Sequence, residues 1–128
     1  MKNNKNSLKK IFCFDLDNVI CKTEKNYYSQ SKPIYRTINI VNKLYENGHV
    51  IKIFTARFMG RSNQNIKKAT FKSYDLTKKQ LKKWKVKYNF LIFGKPSFDV
   101  IIDDKSFNFK KNWHSSFKKK YLNSNKKL

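Results

Sequence analysis

Short apolar runs alternate with polar segments of helical spacing along this sequence. Four runs have the length of β-strands, at residues 10–14, 49–54, 88–93 and 98–102. The first run is apolar throughout after its opening lysine, which is typical of a strand buried on both faces in the centre of a parallel sheet. The pattern therefore predicts four strands, with the first one central.

The segments between these runs predict helices. After Pro33, where the first helix is predicted to begin, apolar residues recur at helical spacing, and Gly48 stands where a helix C-terminus favours a left-handed residue. A short helix is predicted before residue 74, and Thr77 is predicted to cap a further helix. Trp113 and Phe117 predict a last helix near the C-terminus.

Strands that alternate with helices predict an open α/β sheet, mainly parallel, with right-handed crossovers. A chain of 128 residues is expected to form a single domain. We place that domain at residues 10–117, between a basic N-terminal extension at residues 1–9 and a basic tail at residues 118–128. In sheets of this kind, ligands bind outside the carboxyl ends of the strands.

Each predicted strand ends at a residue that can do chemistry. In the order of the strands, these residues are Asp15 with Asp17, Thr55, Lys95, and Asp103 with Asp104. Four of the eight acids in the chain would thus meet at one edge, where they repel one another unless a divalent cation lies among them or some of them are protonated. Hard oxygen ligands favour Mg²⁺, and a phosphate ester is the substrate that such a site suits.

Four short motifs of this sequence resemble, in the same order, the four motifs of the haloacid-dehalogenase-like superfamily. They are "DLDNV", "FTAR", the lysine of "FGKPS" and "IIDD", and the resemblance covers residues 10–105. The resemblance implies a three-layer Rossmann-like domain and a phosphatase that acts through an aspartyl-phosphate. It implies that Asp15 is the nucleophile, Asp17 the general acid and base, and Thr55 and Lys95 the groups that hold the phosphoryl oxygens.

The resemblance also implies a magnesium site. Its ligands would be Asp15, the backbone carbonyl of Asp17, Asp103 and the neighbouring Asp104. Asn18, Arg57 and Lys105 are further expected to bind the substrate near its phosphate, as is Arg61, although plain solvated charge explains the basic residues equally well.

Two features narrow the resemblance. Asn18 and Val19 stand where the commoner form of the first motif has Gly-Thr, which removes no catalytic group. Only 37 residues lie between Asp17 and Thr55, and 39 between Thr55 and Lys95, so neither interval can hold a cap domain. The chain therefore resembles the small capless branch, and within it the short phosphatases of capsule and surface-polysaccharide biosynthesis, which implies a small sugar-type phosphate as substrate.

The formal net charge of +22 leaves other functions open. Clustered lysines suit a polyanionic partner, but a compositional bias toward Lys, Asn, Ile, Phe and Tyr also explains the charge. The alternatives are a phosphatase of polynucleotide or nucleotide ends that uses the basic surface, and a non-catalytic nucleic-acid-binding domain on the same scaffold. Self-association stays open as well.

The remaining features concern location. Cys13 and Cys21 have no disulfide-type spacing and are expected to be free thiols. No apolar stretch approaches the roughly 18 residues of a membrane span, and the polar start lacks a secretory signal. We therefore expect a cytoplasmic protein with no membrane span.

Overall fold

A parallel sheet of three strands forms the centre of this computed structural model, which describes residues 8–58, 66–96 and 98–122. The elements in chain order are β1 (Ile11–Asp15), β2 (Cys21–Lys22), β3 (Lys32–Pro33), α1 (Tyr35–Glu46), β4 (Val50–Thr55), α2 (Ile66–Lys83), β5 (Phe90–Phe93) and α3 (Trp113–Tyr121). A 3-10 turn at Tyr28–Gln30 lies between β2 and β3.

The strands of this sheet lie in the order β1, β4, β5, and all pairs are parallel. Asp15 at the end of β1 lies beside Phe54, and Thr55 at the end of β4 lies beside Phe93. The three carboxyl ends therefore share one edge. A separate antiparallel pair, β2 with β3, follows β1. The predicted α/β class is confirmed.

The three helices pack on one face of the sheet. On that face, Phe14 of β1 and Ile53 of β4 belong to the buried core, together with Leu81 of α2. From α3, Phe117 packs edge-on against Phe12, with ring centroids 5.7 Å apart. Alternate residues of each strand point to this face, so one apolar face per strand is enough to build the core.

The opposite face of the sheet is open in the described part of the chain. Ile11 and Cys13 of β1 and Phe90 and Ile92 of β5 are exposed there. The prediction that β1 is buried on both faces is therefore wrong for this structure, because the helices of the described residues cover one face only. Both cysteines are free thiols, as predicted.

The fourth predicted strand is absent from this arrangement. Residues 98–102 form no ladder with a neighbouring strand, and Val100 and Ile102 are exposed, Ile102 at 94%. A run without a paired neighbour has no ladder hydrogen bonds to hold it extended, so its apolar pattern alone does not make a strand. As a result, within the described residues β1 is an edge strand.

Several element boundaries also differ from the prediction. Pro33 pairs with Cys21 in the small sheet, so α1 begins two residues later than predicted. One helix of 18 residues, α2, replaces the two short helices, and Thr77 lies inside it rather than at its start. The last helix continues to Tyr121, into the predicted tail. Gly48, with φ of +94°, follows the end of α1, as predicted.

Candidate active site

Three of the predicted catalytic residues meet at the carboxyl edge of the sheet. Asp15 ends β1, Thr55 ends β4, and Lys95 follows β5 by two residues. The backbone N–H of Lys95 donates to the carbonyl of Thr55 at 3.2 Å, which ties the loop after β5 to the end of β4. The ammonium Nζ of Lys95 then lies 3.1 Å from Oδ2 of Asp15. The lysine that follows β5 and the carboxylate at the end of β1 are thus held in direct contact.

The carboxylate of Asp15 is half-buried, with 37% of its side chain exposed. Burial raises the pKa of Asp15, the hydrogen bond and charge of Lys95 lower it, and the net direction is upward. Its Oδ1 accepts the backbone N–H of Leu16 at 3.0 Å, and the charge of Asp17 raises the pKa further. The ionised form of Asp15 is therefore under-stabilised here, which suits a group that is to bind a cation or attack an electrophile.

Asp17 is held from two sides. Its Oδ1 accepts the hydroxyl of Thr23 at 2.6 Å and Nη2 of Arg57 at 2.9 Å, and its Oδ2 accepts Nε of Arg57 at 3.0 Å. Two nitrogens of one guanidinium therefore grip both carboxylate oxygens, the geometry that gives an Arg–carboxylate pair its strength and direction. The side chain of Asp17 is still 21% exposed, so part of its carboxylate remains accessible to a ligand.

Arg57 lies at the centre of a buried polar cluster rather than at the surface. Its side chain is 0% exposed. Nη1 donates to Thr77 at 3.1 Å and to Gln80 at 2.6 Å, both on α2, and Nη2 donates to Ser31 at 3.2 Å. The guanidinium carbon also lies 5.0 Å from the ring centroid of Tyr28. Because these contacts use the donors of Arg57, its arrangement differs from the predicted substrate-binding role and matches a residue that orients Asp17.

Of the other predicted substrate-binding residues, Asn18 joins this cluster through Thr23, which also donates to Asp17. Asn18 has a positive φ of 70°, and its side-chain oxygen accepts the N–H of Thr23 at 3.3 Å. Lys105 is exposed, and its backbone N–H donates to Asp103 at 2.8 Å. Arg61 lies outside the described residues.

Asp103 and Asp104 are exposed in the turn that follows residues 98–102. Asp103 accepts bonds from the residues just after it, including the hydroxyl of Ser106 at 3.0 Å through its carbonyl. Over residues 8–58, 66–96 and 98–122, no group of three or more His, Cys, Asp and Glu side chains is close enough to hold a metal ion. The predicted set of four acids is therefore not assembled here. Asp15, with the carbonyl of Asp17 close to it in sequence, supplies the hard oxygen chemistry that Mg²⁺ takes from proteins.

Sequence reasoning missed the residues that surround Arg57. On α2, Thr77 and Gln80 are buried polar residues three positions apart, which places them on the buried face of the helix, and both accept from Arg57. Polar residues on the buried face of a helix are a signal for a buried partner. Arg57 gave no such signal, because one arginine in a chain of 30 basic residues looks like surface charge.

Comparison with known proteins supports the fold. No protein-family model matches the sequence, and no curated protein matches it either. The crystal structure of an MCSG target from Vibrio cholerae matches with a TM-score of 0.70 and 24% identity, over 88% of this chain and 99% of that one. The structure of a Pnkp1/Rnl/Hen1 complex matches with a TM-score of 0.51 and 12% identity, over 95% of this chain and 37% of that one. Both likenesses concern the fold alone.

None of the helices in the described ranges combines the length and the apolarity needed to cross a bilayer.

Proposed function

We propose that this chain is a magnesium-dependent phosphomonoesterase of the haloacid-dehalogenase-like type. The observation that carries the proposal is the contact between Asp15 and Lys95 at the shared carboxyl edge of the strands, 3.1 Å long. It is supported by Asp17, which lies two residues beyond Asp15 and is fixed in direction by Arg57. A nucleophile, a positioned acid and a cation for the developing charge are the groups that phosphoryl transfer needs.

In this mechanism, an oxygen of Asp15 attacks phosphorus, and the bond from phosphorus to the ester oxygen breaks. For this step Asp17 first takes a proton on one of the oxygens that accept from Arg57, and it then gives that proton to the departing alkoxide. Asp17 then takes a proton from a water molecule, which attacks phosphorus and releases inorganic phosphate and free Asp15. The ammonium of Lys95 offsets the charge on the phosphoryl oxygens. The hydroxyl of Thr55 accepts the N–H of Arg57 at 3.0 Å, which leaves its own proton to donate to a phosphoryl oxygen.

Mg²⁺ would be held by Asp15, the carbonyl of Asp17, Asp103 and Asp104, and when bound it supplies charge neutralisation between the carboxylate and the phosphate. For this set to form, residues 98–102 would join the free edge of β1 as a fourth parallel strand, in the three-layer Rossmann-like arrangement without a cap. Two features support this step. The run is apolar and exposed at Val100 and Ile102, and the edge of β1 away from β4 is unpaired in the described residues.

A small sugar-type phosphate is the substrate class we favour. The chain between β1 and α1 holds a short hairpin and a 3-10 turn, so this segment forms no domain that would close over the site. A polynucleotide or nucleotide end is the second candidate, favoured by the groove along α2 that Lys78, Lys79 and Lys82 line. The two differ in salt dependence, because only a polyanionic substrate should lose activity steeply as ionic strength rises.

The test is hydrolysis of an aryl phosphate by the purified full chain. We expect phosphate release with Mg²⁺, loss of nearly all turnover with EDTA, and loss of it again in Asp15→Asn. The matched control is Glu46→Gln, which removes an exposed acid at the end of α1 that pairs with Lys87 at 2.7 Å and precedes the start of β4. Turnover by Asp15→Asn at the wild-type rate would refute the proposal. Sugar phosphates, nucleotides and 3′-phosphorylated oligonucleotides, each at two salt concentrations, then identify the substrate class.

A further inference from the structure

An open groove of about 600 Å³ lies along α2, on the side that faces the segment leading into β5. Three aromatic side chains contribute to its lining, namely Phe71, Tyr74 and Tyr88. Three lysines contribute as well, namely Lys78, Lys79 and Lys82. A groove of this size can hold one or two planar rings of a ligand, since small-molecule pockets span roughly 300–1,000 Å³.

Two of the three aromatic side chains are presented to solvent, while Tyr88 is partly buried against the core. Phe71 is 74% exposed and Tyr74 is 40% exposed. The ammonium of Lys78 lies 5.3 Å from the ring centroid of Tyr74, a cation–π contact at the groove wall. Exposed rings of this size are expensive to leave in water, so a cluster of them beside cations indicates a ligand that is both flat and anionic.

The charge of the groove is positive. Among the described residues that line it, the one acid is Asp75, which pairs with Lys79 at 3.1 Å one helical turn away. Lys78 and Lys82 therefore give the groove its net charge. A polyanion with regularly spaced charges and flat apolar rings complements this arrangement in both respects.

We propose that this groove binds single-stranded nucleic acid, with bases stacked on Phe71 and Tyr74 and phosphates against Lys78 and Lys82. Stacking on aromatic rings beside a basic track is the way single strands are bound without sequence preference. The groove also leads toward the candidate active site. The ring of Tyr74 lies 5.7 Å from that of Phe93, the last residue of β5 and two residues before Lys95. The binding proposal does not depend on phosphatase activity.

The test is fluorescence anisotropy with a labelled thymidylate oligomer of about 15 nucleotides, in low salt with EDTA so that no hydrolysis occurs. A second oligomer of equal length, with the same phosphates and abasic sugars, separates stacking from charge. We expect the full chain to bind the thymidylate at least about thirtyfold more tightly than the abasic oligomer, because two stacked bases at roughly 1–3 kcal/mol each contribute about 2 kcal/mol or more. We expect Phe71→Ala to remove about half of this difference in binding free energy, since Tyr74 remains.

The aromatic control is Tyr35→Ala, because Tyr35 is an exposed ring at the start of α1 and not part of the groove. Phe71 is mostly exposed, so its truncation leaves the core intact, which an unchanged unfolding midpoint verifies. Equal affinity of the wild-type chain for the two oligomers, or an unchanged ratio in Phe71→Ala, would overturn the proposal and leave general charge attraction as the explanation.

Variants of the groove lysines provide an independent test of the proposed phosphate contacts. The double variant Lys78→Gln with Lys82→Gln should flatten the dependence of log affinity on log salt by about two phosphate contacts. The matched control is Lys110→Gln with Lys111→Gln, which removes the same charge from the exposed segment before α3. An equal loss of slope in both double variants would show that binding is spread over the whole surface, contrary to the proposal.

Discussion

Arg57 and Asp17, which are 40 residues apart in the chain, are joined by two guanidinium nitrogens that donate to both oxygens of one carboxylate. The third nitrogen of that guanidinium, Nη1, donates to Thr77 and Gln80 of α2. Asp17 therefore has a fixed direction that depends on a helix remote in sequence. An acid that must protonate a leaving group benefits from such a fixed direction, since a misplacement of about 1 Å can reduce the rate on the order of a hundredfold.

Replacement of Arg57 by lysine should weaken folding and catalysis together. Lysine keeps the charge but cannot reproduce the planar fork that contacts Asp17, Thr77 and Gln80 at once. We expect Arg57→Lys to lower the free energy of unfolding by about 3 kcal/mol, the range found when a buried pair is broken. Urea unfolding measures this loss. Arg36→Lys, an exchange at an exposed position of α1, should stay within about 0.5 kcal/mol of wild type. Equal stability of the two variants would contradict the structural role of Arg57.

Asp15→Asn should stabilise the metal-free protein at neutral pH. The pKa of Asp15 is raised by burial above the ordinary value of 3.8, so the ionised form is disfavoured in the folded state. The stability linked to this group is complete below pH 3.8 and is lost as the pH rises through the folded-state pKa. Asparagine stays neutral, so the advantage of the variant should shrink as the pH falls toward 4.

Unfolding of both proteins in EDTA across this pH range is the measurement. Addition of Mg²⁺ should then stabilise the wild type more than Asp15→Asn, because a ligand that binds only the folded state raises its stability. An Asn variant that is less stable than wild type at pH 7 without metal would show that Lys95 outweighs burial at this site.

Gly94→Ala should impair the site more than its effect on stability suggests. Gly94 has φ of +105°, a backbone conformation that L-residues rarely adopt, and it directly precedes Lys95. Alanine there costs about 1–2 kcal/mol or shifts the loop, and a shift moves the ammonium away from Asp15. Gly48→Ala is the matched control, since Gly48 has φ of +94° and open space around it but lies at the end of α1. We expect both variants to lose similar stability and only Gly94→Ala to lose phosphatase turnover.

His114 should make the fold sensitive to mild acid. Its Nε2 lies 2.8 Å from the hydroxyl of Thr37 on α1, and its ring stacks on Trp113 at 4.1 Å. Burial lowers the pKa of His114, and the charges of Arg36 and Lys118 lower it further. A lowered folded-state pKa means that stability is complete above about 6.5 and is lost as the pH falls below it.

His114→Gln should reduce this acid sensitivity, which urea unfolding at pH 7.5 and 5.5 measures. His49, whose pKa is also lowered by burial, accounts for the part that remains. His49→Gln therefore serves as the comparison. If removal of both histidines left the pH dependence unchanged, other groups would be responsible for it.

The fourth strand of the proposed fold makes a prediction of its own. With Mg²⁺ and phosphate, amide exchange should slow in residues 98–102 and in those amides of β1 that do not bond to β4. Ile101→Pro should prevent this protection, because proline lacks the ladder donor. The outer edge of β5 is the internal control and should exchange at the same rate in both conditions. Protection of β5 in place of β1 would contradict the pairing.

The spacing of apolar residues was enough to predict the three strands of the sheet and α1, because a buried strand and a helix with one buried face each produce their own spacing. It also brought Asp15, Thr55 and Lys95 together, since the ends of parallel strands share an edge. Pattern misassigned Thr77, whose hydroxyl is a common helix cap but here meets a buried guanidinium. The buried contacts of Arg57 were missed for the same reason, because burial of a charge depends on partners that only the tertiary structure brings together.

The bond from the side-chain amide of Gln80 to the carbonyl of Tyr28, 2.6 Å long, has a wider effect. It completes a set of contacts that joins the 3-10 turn at Tyr28, α2 and Asp17, the proposed general acid, into one cooperative unit. Loosening any member would release the others, so loss of catalysis and fraying of the helix should occur as a single event, ahead of melting of the sheet.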